Sequence, residues 1–458
     1  MNFFRRSFDH RNALVLLVLA SAACSHQPGQ ESKQAAQAKP EVSTSSACAA
    51  DASWIQNPSQ PNFGADPNSV CAFHQYAWQS FLFLTSGSPA GGLNFENYRS
   101  VSDVFGTPPP RRAFKMLDSR NKRNRVFLPR FGKPTHEGAT KGQAKAIASG
   151  EAFNEDQQAG SAGVLISQSN QITYYEQLLD PTAAGFVTTC SLQVPNCQSQ
   201  PAAKALRIPA GAIEVKASWL PMAKTAPNAN LFYTIPGFPV MNNQGQTYTP
   251  DLMALVGFHL VFATKSHPEL VWATFEHVAN APNGPCVAGQ STPPPAPFAS
   301  WTFNNPANTT CQGINAWPST NPPTKPPFPI TQAVRINPNG GGDAGNAAAI
   351  QSLNASVLGL VPQGSMWKNY FLVGSVWTVN GQLPPSSTNQ AGSTLLANST
   401  METFVQDPST DCFSCHTNMS RSGTLEPPFS VSHAFKQATG KKTCSYTTQL
   451  PQACQATQ

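Results

Sequence analysis

Charge is scarce in this sequence: Asp, Glu, Lys and Arg together make up 11% of its 458 residues. Polarity falls to Ser, Thr, Asn and Gln, and 42 prolines divide the chain into short segments, the profile of an exported protein rich in loops. Long apolar runs are missing too. Beyond the N-terminus nothing approaches the roughly 20 residues that cross a bilayer as a helix. No internal repeat is present, which disfavours solenoid and propeller arrays. Gly340, Gly341 and Gly342 are not followed by Lys-Ser or Lys-Thr, so a phosphate-binding loop is disfavoured.

Acids are absent from one region above all. Between Arg111 and Lys133 nine basic residues face one acid, Asp118. Such a stretch can steer an acidic redox partner or touch anionic headgroups, with a solvated basic loop or strand pair as the simpler reading. Nucleic acid is an implausible partner for an exported chain.

What is present begins with an export signal. Arg5, Arg6 and Arg11 flank an apolar run from Ala13 to Ala20, and Ser21-Ala22-Ala23 supplies a small-residue cleavage context, giving a signal peptide over 1–23. Cys24 follows at once and precedes a polar tract that ends at Ala47. The arrangement resembles a bacterial lipoprotein, although Ser21 stands where a branched aliphatic residue is usual. Membrane anchoring through a lipid on Cys24 and release into the periplasm are both left open.

Eleven cysteines can then be sorted. Setting aside Cys24 and the pair Cys412 and Cys415 leaves eight, an even number for an oxidising compartment. They fall into sequence neighbours, so the expectation is four local disulfides: Cys48 with Cys71, Cys190 with Cys197, Cys286 with Cys311 and Cys444 with Cys454.

The remaining pair belongs to Cys412-Phe413-Ser414-Cys415-His416, the attachment pattern of a c-type haem. Two thiols about one helical turn apart reach the two vinyl groups, and the adjacent imidazole coordinates iron. Zinc would require two further ligands at matching spacing, and no second Cys-x-x-Cys or His pair lies nearby. A thioredoxin-like redox pair would require a βαβ setting, which is missing. The expectation is one covalent haem c on Cys412 and Cys415 with His416 as proximal ligand. No Met follows Met419, which is too close to His416 to reach the opposite face of the ring. His433 is the best downstream candidate for the distal iron position; Met401, His259 and His277 are alternatives through tertiary folding, as is an open position.

Along the chain, Cys71 to Leu84 carries apolar residues at helical spacing, with His74 read as structural. Ile213 to Trp219 alternates, placing Ile213, Val215, Ala217 and Trp219 on a buried face and Glu214, Lys216 and Ser218 on a solvated one. Leu252 to Ala263 and Leu270 to Ala279 read as an antiparallel hairpin. A turn centred on His267 would set His259 opposite Phe275 and both His259 and His277 on one face, beside a recess made by Gly257 that could receive a flat prosthetic group. Pro282 to Pro329 is a long irregular excursion, Asn346 to Leu358 a helix, Met366 to Val379 an aromatic strand, and Leu395 to Gln406 a short helix leading to Cys412.

Ala77-Trp78-Gln79-Ser80-Phe81, Glu214-Val215-Lys216, Val271 to His277 and Cys412 to His416 together resemble a group of exported bacterial cytochrome c family proteins with a single haem motif near the C-terminus. The resemblance runs from about Cys71 to Phe435 and implies haem binding and electron transfer without a known substrate. The expected protein is α+β, with a mainly antiparallel β domain over 48–390 and a short helical, haem-bearing segment over 391–458, behind a tether over 24–47. Its expected role is single-electron transfer with a redox partner protein in the periplasm or cell envelope. The competing expectation is a haem oxidase, peroxidase-like enzyme or ligand sensor, in which the β domain supplies the distal pocket.

Overall fold

The computed structural model describes residues 47–106, 163–318, 323, 325–406, 411–413, 416, 429, 431–432, 434–435, 438 and 443–456, and the backbone of 114–118 and 123–129. The signal stretch, Cys24, the tether up to residue 46, Cys415, His433 and six of the nine basic residues between Arg111 and Lys133 lie outside the described residues.

Short runs rich in β-branched and aromatic residues supply the strands. They are β1 (Arg99–Ser100), β2 (Phe114–Asp118), β3 (Arg123–Pro129), β4 (Tyr174–Leu179), β5 (Ile213–Met222), β6 (Thr234–Pro236), β7 (Val240–Met241), β8 (Thr247–Tyr248), β9 (Leu252–Thr264), β10 (His267–His277), β11 (Tyr370–Thr378) and β12 (Gln390–Gly392). Among the described residues ten of them form one antiparallel sheet in the order β12-β11-β10-β9-β5-β4-β3-β2, with β1 added to β4 and β6 to β9. β7 and β8 pair separately. The architecture is α+β and mainly antiparallel, as expected.

Among the described residues the three longest helices, each with a side-chain cap, accompany the sheet. In α1 (Val70–Leu84) the Ser69 hydroxyl accepts from the Ala72 N–H, and Phe73, Ala77, Trp78, Phe81 and Leu84 form the buried stripe. In α2 (Pro181–Thr189) Asp180 accepts from Thr182 and Ala183, and Pro181 occupies the first turn. In α3 (Ala344–Leu360) Asp343 accepts from Asn346. α1 and α3 cover one face of the sheet, where Phe81 stacks on Phe275 at 4.2 Å and Phe73 on Trp377 at 3.9 Å.

Four expectations need correction. The β9–β10 turn is the two residues Lys265 and Ser266, because His267 already pairs with Thr264, and an irregularity between His267 and Val271 follows, with Leu270 at φ 76°. His259 therefore opposes Thr274, not Phe275, and Gly257 opposes Glu276. A slip of one residue exchanges faces: His259 and Trp272 share one face, whereas His277 belongs to the other with Phe258 and Phe275.

The disulfides are four in number among the described residues, but only Cys48–Cys71 and Cys286–Cys311 are local. Cys190 joins Cys454 and Cys197 joins Cys444, across 264 and 247 residues, so the C-terminus is stapled to the segment after α2. Sequence proximity failed here because pairing follows Cα separation, 4.8 and 4.9 Å in these two bonds.

Leu395 to Gln406 is a strap of turns and not a helix. Its short polar side chains bond to the sheet, to one another and to the strap's own backbone, which competes with helix formation. The face of β5 expected to be solvated is covered by this strap and by the C-terminal segment; Lys216 and Ser218 are buried and Glu214 is largely covered.

Candidate functional site

The covered face of the sheet has three zones. At one end Leu220, Ala254 and Val256 pack against Phe298, Phe303 and Ala333 of the proline-rich excursion. At the other, Leu179, Val261, Leu270 and Trp272 pack against α2 and against Phe413, Phe429, Val431 and Phe435 of the C-terminal segment. A polar zone lies between them.

The polar zone is built by two cross-strand rows, Ser218–Gly257–Glu276 and Lys216–His259–Thr274. The strap is bonded to both. Thr400 Oγ1 lies 2.7 Å from Ser218 Oγ, and Tyr175 donates its hydroxyl to the Thr400 carbonyl at 2.7 Å. Asn398 donates to Thr274 Oγ1 and to the Phe275 carbonyl. Ser399 bonds to Glu276 through its backbone N–H at 2.6 Å and through its hydroxyl. A Cβ on Gly257 would come within 2.2 Å of Thr400 Oγ1, so the recess expected to receive a prosthetic group receives Thr400 instead.

Charges in this zone are paired. Arg335 donates to Glu276 Oε2 from Nε at 3.0 Å and from Nη2 at 2.7 Å, with both side chains buried. His259 Nε2 lies 2.9 Å from Glu402 Oε1. Burial opposes ionisation of Glu402, but the neighbouring His259 and Lys216 and the Asn398 N–H outweigh it and hold the carboxyl below its usual range.

His277 has a structural role. Its Nε2 bonds to the Leu231 carbonyl at 3.2 Å, its Nδ1 accepts from the Ala279 N–H at 3.2 Å, and its ring stacks on Phe232 at 3.7 Å. Both nitrogens are engaged, and burial pushes the imidazole down to about 3. It is unavailable as a ligand on the opposite face. His74, bonded through Nε2 to Asn346 at 2.9 Å, is likewise structural, and burial pushes it down to about 4. Met401 is fully buried in the strap.

The motif itself meets the apolar zone. Cys412, Phe413 and His416 have helical backbone, and Cys412 Sγ lies 4.0 Å from the Leu396 carbonyl oxygen. The His416 ring sits on Trp272, with centroids 4.0 Å apart. Its Nδ1 lies 2.7 Å from the Val431 carbonyl oxygen. A carbonyl can only accept, so Nδ1 carries the proton and the lone pair of His416 is on Nε2. Phe413, Phe429 and Phe435 are buried in the same apolar cluster as Trp272.

One further side chain reaches this segment. Glu214 lies in the same cross-strand row as Trp272, through Val261. Its Oε1 accepts from the Ser432 hydroxyl at 2.6 Å, and burial in apolar surroundings pushes its carboxyl up to about 7.

Sequence reading singled out Cys412 and His416 but not Trp272 and Val431 beside His416, nor Ser432 beside Glu214. The two-residue turn at Lys265-Ser266 is the signal that puts Trp272 on the His259 face. Among the described residues no group of three or more His, Cys, Asp or Glu side chains is arranged to hold a metal ion. Among them no helix is long and apolar enough to cross a membrane. No family model, curated protein or solved structure matches this chain.

Proposed function

We propose that the chain is an exported mono-haem c-type cytochrome that exchanges single electrons with a redox partner protein. Cys412 and Cys415 would hold the haem as thioethers and His416 would be the proximal ligand; bound there, the haem supplies a reversible one-electron couple. The observation that carries this reading is the His416 Nδ1–H bond to the Val431 carbonyl, 2.7 Å. Metal-ligating histidines almost always donate their second ring N–H in this way, which fixes the tautomer, orients the ring and raises the basicity of the coordinating nitrogen.

Other side chains support the same reading. Trp272 at 4.0 Å limits rotation of the His416 ring. Phe413, Phe429 and Phe435 are buried in the same cluster as Trp272, and a low-dielectric setting is one of the levers that set a redox potential. The strap anchors the chain a few residues before Cys412, and the Cys197–Cys444 and Cys190–Cys454 bonds anchor it afterwards. The motif is thereby tethered on one side to the sheet and on the other to the segment after α2. Four disulfides accord with an oxidising compartment, where haem of this type is attached.

Expression together with haem-maturation machinery tests the proposal. Haem should stay with the polypeptide on a denaturing gel and be lost from the Cys412→Ala, Cys415→Ala double variant. Covalent haem retained by that variant would sink the assignment.

A further inference from the structure

The apolar cluster that holds Phe413 and Trp272 contains a recess lined by Leu179, Phe186, Val187, Leu270 and Phe435, and the one carboxyl in its lining is Glu214. A lone carboxyl in an apolar wall is costly unless it is hydrogen-bonded. Here the bond comes from Ser432, which is fully buried. Ser432 Oγ also accepts from the Ala434 N–H at 3.0 Å, which leaves its own hydrogen directed at Glu214. Ser432 is the residue immediately after Val431, whose carbonyl accepts the His416 Nδ1–H. His416 and Glu214 are thus joined by two hydrogen bonds, 2.7 and 2.6 Å long, and one peptide unit.

We propose that Glu214 is a positioning residue for His416, acting through the bridge Val431-Ser432. The inference rests on the reading of His416 as an iron ligand. β5 is an interior strand, paired on both sides by β4 and β9, so Glu214 is a fixed point on a rigid sheet. By holding the Ser432 hydroxyl it fixes the orientation of the adjoining Val431 carbonyl, and with it the strength of the bond to His416. Trp272, from β10, limits the ring on its other side. The sheet therefore sets both the ring's plane and its donor strength. A strong Nδ1–H bond gives the imidazole more anionic character, which favours the more highly charged state of a metal on Nε2; a loosened bond raises the reduction potential.

The bridge is tested on the covalently loaded protein and on the haem-free chain. Glu214→Ala and Ser432→Ala should each raise the midpoint potential. The double variant should match either single one, because both cut the same connection. Glu214→Gln keeps an oxygen that accepts from Ser432 and should retain most of the wild-type value. In haem-free protein carrying nitrogen-15 in its histidines, the His416 Nδ1 resonance should move toward that of an unbonded imidazole in the two alanine variants and not in Glu214→Gln. Unchanged potentials and resonances, or shifts that add in the double variant, would overturn the bridge. If Glu214→Ala does not fold, Ser432→Ala compared with Glu214→Gln decides by the same readouts. Absence of covalent haem from the wild type would instead remove the cytochrome reading, leaving the nitrogen resonances to decide the bridge.

Discussion

On one face of the sheet Phe81 lies flat on Phe275 at 4.2 Å and Phe73 on Trp377 at 3.9 Å, whereas on the other Arg335 meets Glu276 at 2.7 Å and His259 meets Glu402 at 2.9 Å. The first face gains its stability from apolar area, which is non-directional and tolerates exchanges of similar volume. The second depends on each buried polar atom having its partner, so its failures follow the removal of one member of a pair. Side chains on the aromatic face can therefore exchange for others of similar volume. The strap that precedes Cys412 is held by hydrogen bonds that form in one geometry only.

The largest effect should come from breaking the buried pair. Arg335→Ala leaves Glu276 buried without its cation and should cost about 3–5 kcal/mol in urea unfolding. A single variant within about 0.5 kcal/mol of wild type would show that the polar zone behaves like the aromatic face. Next is the close approach at Gly257, where an added Cβ would lie 2.2 Å from Thr400 Oγ1 and 2.6 Å from Ser218 Oγ. Gly257→Ala should destabilise by about 1–3 kcal/mol. Combining it with Thr400→Ala should cost less than the sum of the two singles, and strict additivity would mean that the strap does not press on this strand.

The smallest effect sharpens the comparison through pH. Burial raises Glu214 from an ordinary 4.5 to about 7, so the folded state holds that proton more tightly than the unfolded chain does. Its contribution is complete below about 4.5 and is lost as pH rises through about 7. Burial lowers His74 from 6.5 to about 4 and His277 from 6.5 to about 3, so their contribution is complete above about 6.5 and is lost as pH falls. Thermal midpoints measured from pH 4.5 to 8 should therefore lose an alkaline-side decline in Glu214→Gln while the acid side stays. An alkaline side unchanged by that substitution would mean that Glu214 titrates normally.

Much of the aromatic face was legible in the sequence. The helical spacing of Phe73, Ala77 and Phe81 and the alternation of Ile213, Val215 and Ala217 are local patterns that tertiary packing did not override. The polar face was not legible. Glu214, Lys216 and His259 look the same in sequence whether solvent or a strap covers them, and Asn398 to Thr403 read as a helix because nothing local announces the sheet that takes up their hydrogen bonds.

By itself, then, the sequence determined the Cys412-x-x-Cys415-His416 spacing, the helical stripe of α1, the alternation of β5 and a cysteine count suited to disulfides. Only the tertiary structure decided which cysteines meet, which face His259 and Trp272 share, and that Val431 and Glu214 stand behind His416. The reason is range. Helix spacing and caps are settled within a few residues, whereas the face of a strand turns on one irregularity beside Leu270, and the cysteine pairs and the partners of His416 come from segments brought together only by folding.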